Sequence, residues 1–445
     1  MKTVNEPARG TEVQAEVDVL VVGGGSAGLA SAIAAARQGA NVMLVERYGF
    51  LGGTLTAVTL GSICGFFTVT EDEINPVVKG LAWEMVERLR ARGGALPPRR
   101  WLQTASVPYD PMTLKLVADD MAEEAGVQLV YHSLAVQVVR DGNQIGGVIF
   151  ESKSGRWACL APVVIDATGD GDIATLAGAG MELTLEQLQF PTTMFRFGGV
   201  DTRVAQQLDR NELHSCLNKA VDAGFTLPRT AGGMFSMQPG TMHLNITRVA
   251  ENDRSPNPVD THELTRAEIN GRRQLGLYAE AFRRFVPGFE DCYVLDAGAQ
   301  IGVRESRRIK GDYWLTLDDV MNEGRFYDAI ACSAWPLEEH TADKGTRWVW
   351  LEPGTYYQIP YRCLLPEGLD GLLVVGRCSS ASHDAHASMR VAAVCMALGE
   401  AAGVAAVMAG ASGDVRGIDT TALRRRLTDQ GAWLGEDVRT RGQEA

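Results

Sequence analysis

DVLVVGGGSAGLASAIAAARQGANVMLVE, residues 18–46, reads as a strand, a glycine turn, a helix, a second strand and an acid in register. Asp18 to Val22 is a short apolar run rich in Val and Leu, as a strand buried on both faces should be. Gly23, Gly25 and Gly28 follow in G-x-G-x-x-G spacing. Glycines there permit a tight turn, let backbone approach a pyrophosphate and allow the next helix to pack on the strand. The spacing predicts a helix from Ser26 to Gln38, with Ala and Ser on its packing face, stopping at Gly39. Asn41 to Val45 is a second buried strand, and Glu46 lies at its end, 18 positions beyond Gly28. A carboxylate in that place can accept hydrogen bonds from ribose hydroxyls, so the whole stretch forms a dinucleotide-binding unit.

Composition narrows the classes around that unit. At 445 residues the chain is long enough for two domains, and 45% hydrophobic residues fit a soluble protein with a full core. The net charge of -13 argues against nucleic-acid or anionic-membrane partners, which demand clustered Lys and Arg. Eight cysteines are scattered without C-x-x-C pairs, so neither a metal site nor disulfides are expected, and reduced thiols suit the cytoplasm. The first 16 residues are polar and unlike a signal peptide. Val19–Ala36 and Val391–Ala411 are apolar enough to resemble membrane spans. The glycines of the first and Glu400 in the second favour buried elements instead.

The expected fold is α/β: a Rossmann-like domain, with a parallel sheet plus a β-meander, interleaved with a smaller α+β substrate domain. Helices are predicted at Leu81–Arg92 and Thr113–Ala125. Between Gln128 and Ile165 come QLVYH, AVQVVRD, QIGGVIFES, RWACLAP and VVIDA, strands punctuated by Asp141-Gly142 and Ser154-Gly155. These form the meander and close a first nucleotide-binding part, residues 15–180. Residues 181–350 carry long strand-like runs, polar helices and many aromatics and read as the substrate domain, with a possible return to the first domain near 296–312. Residues 351–411 return to the nucleotide domain, with a strand at Leu372–Val375 and an apolar helix at Ser388–Ala409. Residues 412–445 form a helical tail.

Two further segments separate a flavin from a nicotinamide nucleotide. VVIDATGDGD, from Val163 to Asp172, is an apolar strand breaking into a Gly- and Asp-rich turn. LLVVGR, from Leu372 to Arg377, enters another glycine turn ahead of a helix starting near Ser388. The first brings backbone to the phosphates and ribose. The helix can aim free N–H groups at the isoalloxazine O2/N1 edge, where charge accumulates on reduction. Three such segments in this order point to FAD.

VVGGGSAGLA, ERYGFLGGT, VVIDATGDGD, IGVRESRRIKGDY and VVGRCSSASHDAHASMRVAAVCMALGEAAGVAA together resemble the FAD-dependent oxidoreductases of the glutathione-reductase-like superfamily, in the branch with fumarate-reductase-like relatives. The resemblance implies that Gly23, Gly25, Ser26, Ala27 and Gly28 surround the pyrophosphate and that Glu46 with Arg47 holds the adenosine. It places Gly52, Gly53 and Thr54 on the ribityl side, Val136 against adenine, and Ala167, Gly169 and Asp170 at the diphosphate. Gly376 and Arg377, with Ser388, Met389, Arg390, Val391 and Ala392 at the helix start, would meet the ribityl chain and pyrimidine edge. No second G-x-G-x-x-G marks a nicotinamide domain, and Cys64 lacks the partner of a redox C-x-x-x-x-C. The acceptor of electrons would then be oxygen, a quinone or a soluble carrier.

Flavin chemistry needs a substrate C–H or C=C over N5 and a group that moves the matching proton. His383 and His386, just before the expected helix, are acid/base candidates, or else they hydrogen-bond backbone and cap that helix. Arg304 could grip a substrate carboxylate or the flavin pyrimidine; its alternative is a salt bridge with Glu305 or Asp312. His340 lies in a segment that in similar proteins borders the site, although Glu338-Glu339 replaces the usual Asp. His243 reads as a core histidine sharing a strand face with Asn245. Met234, Phe235, Met237, Trp335, Trp348, Trp350, Tyr356, Tyr357 and Tyr361 are either core or the wall of a pocket for a small apolar substrate. The expected function is a dehydrogenase or oxidase of a small organic molecule. Its alternatives are a reductase of an activated C=C bond and a non-redox lyase or binding protein with structural FAD.

Overall fold

The computed structural model describes residues 2–340 and 345–435. Five parallel strands form the central sheet: β1 (Val19–Val22), β2 (Val42–Val45), β3 (Gln128–Val130), β4 (Val163–Asp166) and β5 (Leu372–Val374). Their spatial order is β5-β4-β1-β2-β3, which puts the first strand in the middle. Alternation along the strands feeds two cores. Val19, Val21, Val42 and Leu44 face a helical layer, while Leu20, Val22, Met43 and Val45 face the meander.

The meander runs Leu134–Asp141, Gln144–Ser152, Gly155–Leu160, and Glu12–Glu16 adds to it parallel to its last strand. Gln128–Val130, expected in the meander, instead pairs with β2 in the parallel sheet. His132, at φ 56°, then lies between it and the first meander strand. The hairpin loops are Gly142-Asn143 and Lys153-Ser154, since Asp141 pairs with Gln144 and Ser152 with Gly155.

The helical layer contains α1 (Ser26–Arg37), α2 (His383–Met389) and α3 (Ala392–Ala409). The single helix expected over Ser388–Ala409 is broken, because Val391 is extended (φ -70°, ψ 150°) and starts α3 afresh. Small residues let α3 lie against α1. A Cβ on Gly399 would sit 2.0 Å from the Ala27 carbonyl oxygen, and one on Gly403 2.2 Å from that of Ser31. Ala392–Ser412 is long and apolar enough to cross a membrane, but it is 83% buried in the core.

A second, antiparallel sheet has the order Gly233–Phe235, Thr241–Asn245, Phe195–Gly198, Tyr293–Ala297. Its core contains Phe195, Phe197, Leu244, Tyr278 and Phe282, the last two from the helix Thr261–Phe285. Leu315, Ile330, Cys332, Trp335 and Tyr357 pack instead with α1 and α3 in the first core.

Candidate active site and cofactor cleft

Register explains why distant segments meet. Val22, Asp166, Val374 and Val45 lie on one line across the sheet, so Gly23, Ala167, Val375 and Glu46 all emerge at its carboxyl edge. All four line one cavity of about 520 Å³. Ligands of open parallel sheets bind at this edge. Only glycine fits two of the turn positions. Gly23 has φ 101° and a Cβ there would be 2.5 Å from the Ala167 oxygen, while a Cβ on Gly28 would lie 1.8 Å from the Gly23 oxygen.

Two long helices begin at the cavity without a cap. The N-caps of α1 (Gly25) and α3 (Val391) make no side-chain hydrogen bond, and neither first turn carries an acid. Gly25, Ser26, Ala27, Val391 and Ala392 line the cavity. Exposed N–H groups and two positive dipole ends suit a ligand with two separated acceptor groups, as the pyrophosphate and pyrimidine edge of FAD provide. Glu46 is preset for a ribose: its oxygens accept from Gly24 N at 2.6 Å and Tyr48 N at 2.8 Å. Arg377 ties two strand ends together, donating to Asp170 Oδ1 at 2.6 Å and Ser306 Oγ at 2.7 Å. Burial opposes the charge of Asp170, but Arg377, Ser306 and Arg47 together outweigh it and hold this carboxyl below its usual range. Asp166 shapes the same turn, accepting from Thr168 N, Thr168 Oγ1 and Ala174 N. Burial pushes its pKa up to about 6. The residues present therefore fit FAD.

Arg47, Gly53, Thr54, Gly169, Gly376 and Arg390 also line the cavity. Gly28 and Gly52 do not; they shape the backbone, and Gly52 N donates to Gly24 O at 2.8 Å. Val136 lies off the cavity, at a β-bulge of the meander. Ser388 and Met389 belong to α2 and not to the uncapped helix start. Ser388 Oγ is buried against the Trp335 carbonyl at 2.5 Å and Tyr357 Oη at 2.8 Å.

The histidine pair is corrected in the same way. His383 and His386 lie within α2, and neither lines the cavity. His386 is 1% exposed, with Nε2 2.8 Å from the Arg377 carbonyl oxygen; burial pushes its pKa well down. His383 sits between Glu305 (2.9 Å) and Glu339 (3.4 Å); burial opposes protonation, but these carboxylates outweigh it and raise its pKa. Among the described residues, Glu339, His383 and Asp384 place one possible ligand atom each within 4.8 Å of one another, and Arg347 reaches both acids.

Arg304 and His340, by contrast, do line the cavity. Arg304 pairs with neither Glu305 nor Asp312, which bind Arg308 and Arg416. Its Nη1 donates to Phe190 O at 2.5 Å and Thr192 Oγ1 at 2.6 Å. Burial, then the charges of Arg390 and Arg229, lower it to about 9. His340 Nε2 lies 3.2 Å from Glu338 Oε1, and Trp335 Nε1 donates to Glu338 Oε2 at 3.3 Å. Burial first, then the charge of Arg304, push His340 down to about 3, while the hydrogen bond to His340, ahead of the charges of Arg390 and Arg304, outweighs burial and lowers Glu338. Phe235, Trp335 and Trp348 also line the cavity, with Trp101 against Trp348 at 5.3 Å; Tyr357 and Tyr361 are core. Asn245 reaches the cavity, while His243 is buried beside Gly61. Sequence reasoning missed Arg210, Arg229 and Glu338. The Pro228–Gly233 loop, PRTAGG, was the one local signal for Arg229.

The family described as FAD dependent oxidoreductase matches residues 18–427. Thiamine thiazole synthase of Aeropyrum pernix is 30% identical over 178 residues, covering 37% of this chain and 59% of that protein. Thiamine thiazole synthase of Methanococcus vannielii is 29% identical over 181 residues, 38% of this chain and 64% of that protein. The chain thus spans less than two thirds of the curated relatives it matches. A geranylgeranyl bacteriochlorophyll reductase-like protein from Thermoplasma acidophilum superimposes with a TM-score of 0.49 at 14% identity, covering 94% of this chain and 84% of that one.

Proposed function

The chain belongs to the FAD-dependent oxidoreductase family, and from that premise we propose that it transfers a hydride between a small organic substrate and flavin N5, as a dehydrogenase or oxidase. The observation that carries this reading is one continuous cavity, shared by the cofactor turns and by the cluster of Arg304, Glu338 and His340. A placement beside fumarate-reductase-like relatives rests on the sequence motifs. FAD, when bound, supplies a two-electron hydride acceptor. The chain supplies the rest. Gly25 to Ala27, Glu46, Ala167 to Asp170, Gly376 and the start of α3 hold the cofactor. His340, neutral and hydrogen-bonded to Glu338, takes the proton that a substrate O–H or N–H releases, and the Glu338 carboxylate stabilises the resulting imidazolium. Arg304, fixed by Phe190 and Thr192, orients the substrate, and Trp335 and Trp348 keep water away from it. Oxygen, a quinone or a soluble carrier then takes the electrons.

Anaerobic photoreduction followed by rapid mixing tests the direction of the reaction. Reoxidation by oxygen or a quinone is expected. Rapid reoxidation by an enoate but not by either of these overturns the reading in favour of a double-bond reductase.

A further inference from the structure

We propose that Arg229, supported by Arg210, forms a subsite for a carboxylate of the substrate, so that the molecule oxidised is a small organic acid with an apolar or aromatic body. This deepens the hydride-transfer reading and rests on it. Among the described residues the Arg229 guanidinium has no hydrogen bond and no ion pair, although Arg229 lines the cavity and is only half-exposed. Its backbone is held in place, with N donating to Tyr278 Oη at 3.0 Å and the carbonyl 2.8 Å from the same hydroxyl. Tyr278 is itself fully buried. The arginine is therefore positioned by the second core and presents an unspent charge to the cavity.

Its surroundings have donors in excess of acceptors. Arg229, Arg304 and Arg390 all feel the charge of Glu338, whose two oxygens already take His340 and Trp335. Arg210 adds another cation close to Arg229. Arg390 Nε and Trp348 Nε1 are buried without a partner among the described residues. A half-buried guanidinium without a partner is an unmatched charge, which an anion in the cavity would neutralise. Burial first, and then the charge of Arg210, push the Arg229 guanidinium below its usual range, the signature of a site short of negative charge.

Within this excess Arg229 stands apart from the phosphate cradle. Arg47 and Arg377 act on Asp170 at the strand-end turns, whereas Arg229 acts on Arg304 and His340. A planar guanidinium matches a carboxylate with two parallel hydrogen bonds. Phe235, Trp335 and Trp348, which line the same cavity, offer an apolar wall for the remainder of the molecule.

The test is a binding titration of the FAD-loaded enzyme, read as a flavin difference spectrum at constant ionic strength. The probes are benzoate and phenylacetate, their amides benzamide and phenylacetamide, and phenyl phosphate. The acids should bind at least about tenfold more tightly than the amides. Arg229→Gln should abolish that preference at unchanged FAD content, Arg229→Lys should restore part of it, and Arg210→Gln should weaken it less. Equal binding of acids and amides, no binding of the acids, or unchanged preference in Arg229→Gln overturns the subsite. Tighter binding of phenyl phosphate overturns the carboxylate assignment. Should Arg229→Gln not hold FAD, salt decides in the wild type: it must weaken the acids and not the amides. The readout needs no turnover. Oxidisable acids, such as mandelate and phenylglycine, that bind through Arg229 and never reduce the flavin would leave the subsite standing and remove the hydride reading; reduction by uncharged donors without acid binding would do the reverse.

Discussion

Glu46 and His340 are buried polar side chains lining one cavity, and each makes a separate prediction. Glu46 takes two backbone amides, so its carboxylate is fixed where a ribose can meet it. Glu46→Ala is expected to weaken FAD retention roughly 10- to 100-fold, the worth of one charged hydrogen-bond acceptor, measured by the flavin lost on dialysis. His340→Asn should keep FAD and lower kcat about 100-fold, in the range of a lost general base. His386→Ala should instead lower thermal stability, since that ring is sealed against the Arg377 carbonyl. Residues that follow strand ends were readable, because Gly23, Gly28 and Glu46 answer to local spacing. Arg229 was not, because its neighbours Arg304 and His340 come from segments about 75 and 110 positions away in sequence and meet it only through tertiary packing.

Among the elements, α3 carries the most consequences. Its close approach to α1 leaves no room at Gly399, so Gly399→Ala should lower Tm and FAD retention together by displacing the uncapped end. Gly276, in the middle of the helix Thr261–Phe285, has open space around it, and Gly276→Ala should stabilise by about 1 kcal/mol. Glu400, also on α3, accepts from Leu81 N at 3.0 Å and so caps the helix Leu81–Ala91. Burial raises its pKa to about 7. The folded value lies above the ordinary 4.5, so its contribution is full below that pH and is lost as pH rises through about 7. Urea midpoints should fall over that window by the equivalent of ~3 kcal/mol, and Glu400→Gln should flatten the dependence. The break at Val391 was hidden in the sequence: no Gly or Pro lies between Ser388 and Leu398, so nothing local marks where α3 begins.

Over the whole molecule, strand order brings three distant turns to one edge, and the second sheet adds Gly233, Phe235 and Asn245 to the cavity lining. The parallel sheet and the FAD turns were legible because strand, turn and helix signals there are local. The packing of Leu315, Ile330, Cys332 and Trp335 in the first core was not, since an apolar run does not name its partner. The measurement that bears most directly on the account is the flavin absorbance at about 450 nm during anaerobic turnover of a small carboxylic acid. Bleaching by one equivalent of substrate, reversed by admitting air or a quinone, is the predicted result. Conversion of many equivalents with the flavin oxidised throughout and no acceptor present would contradict it.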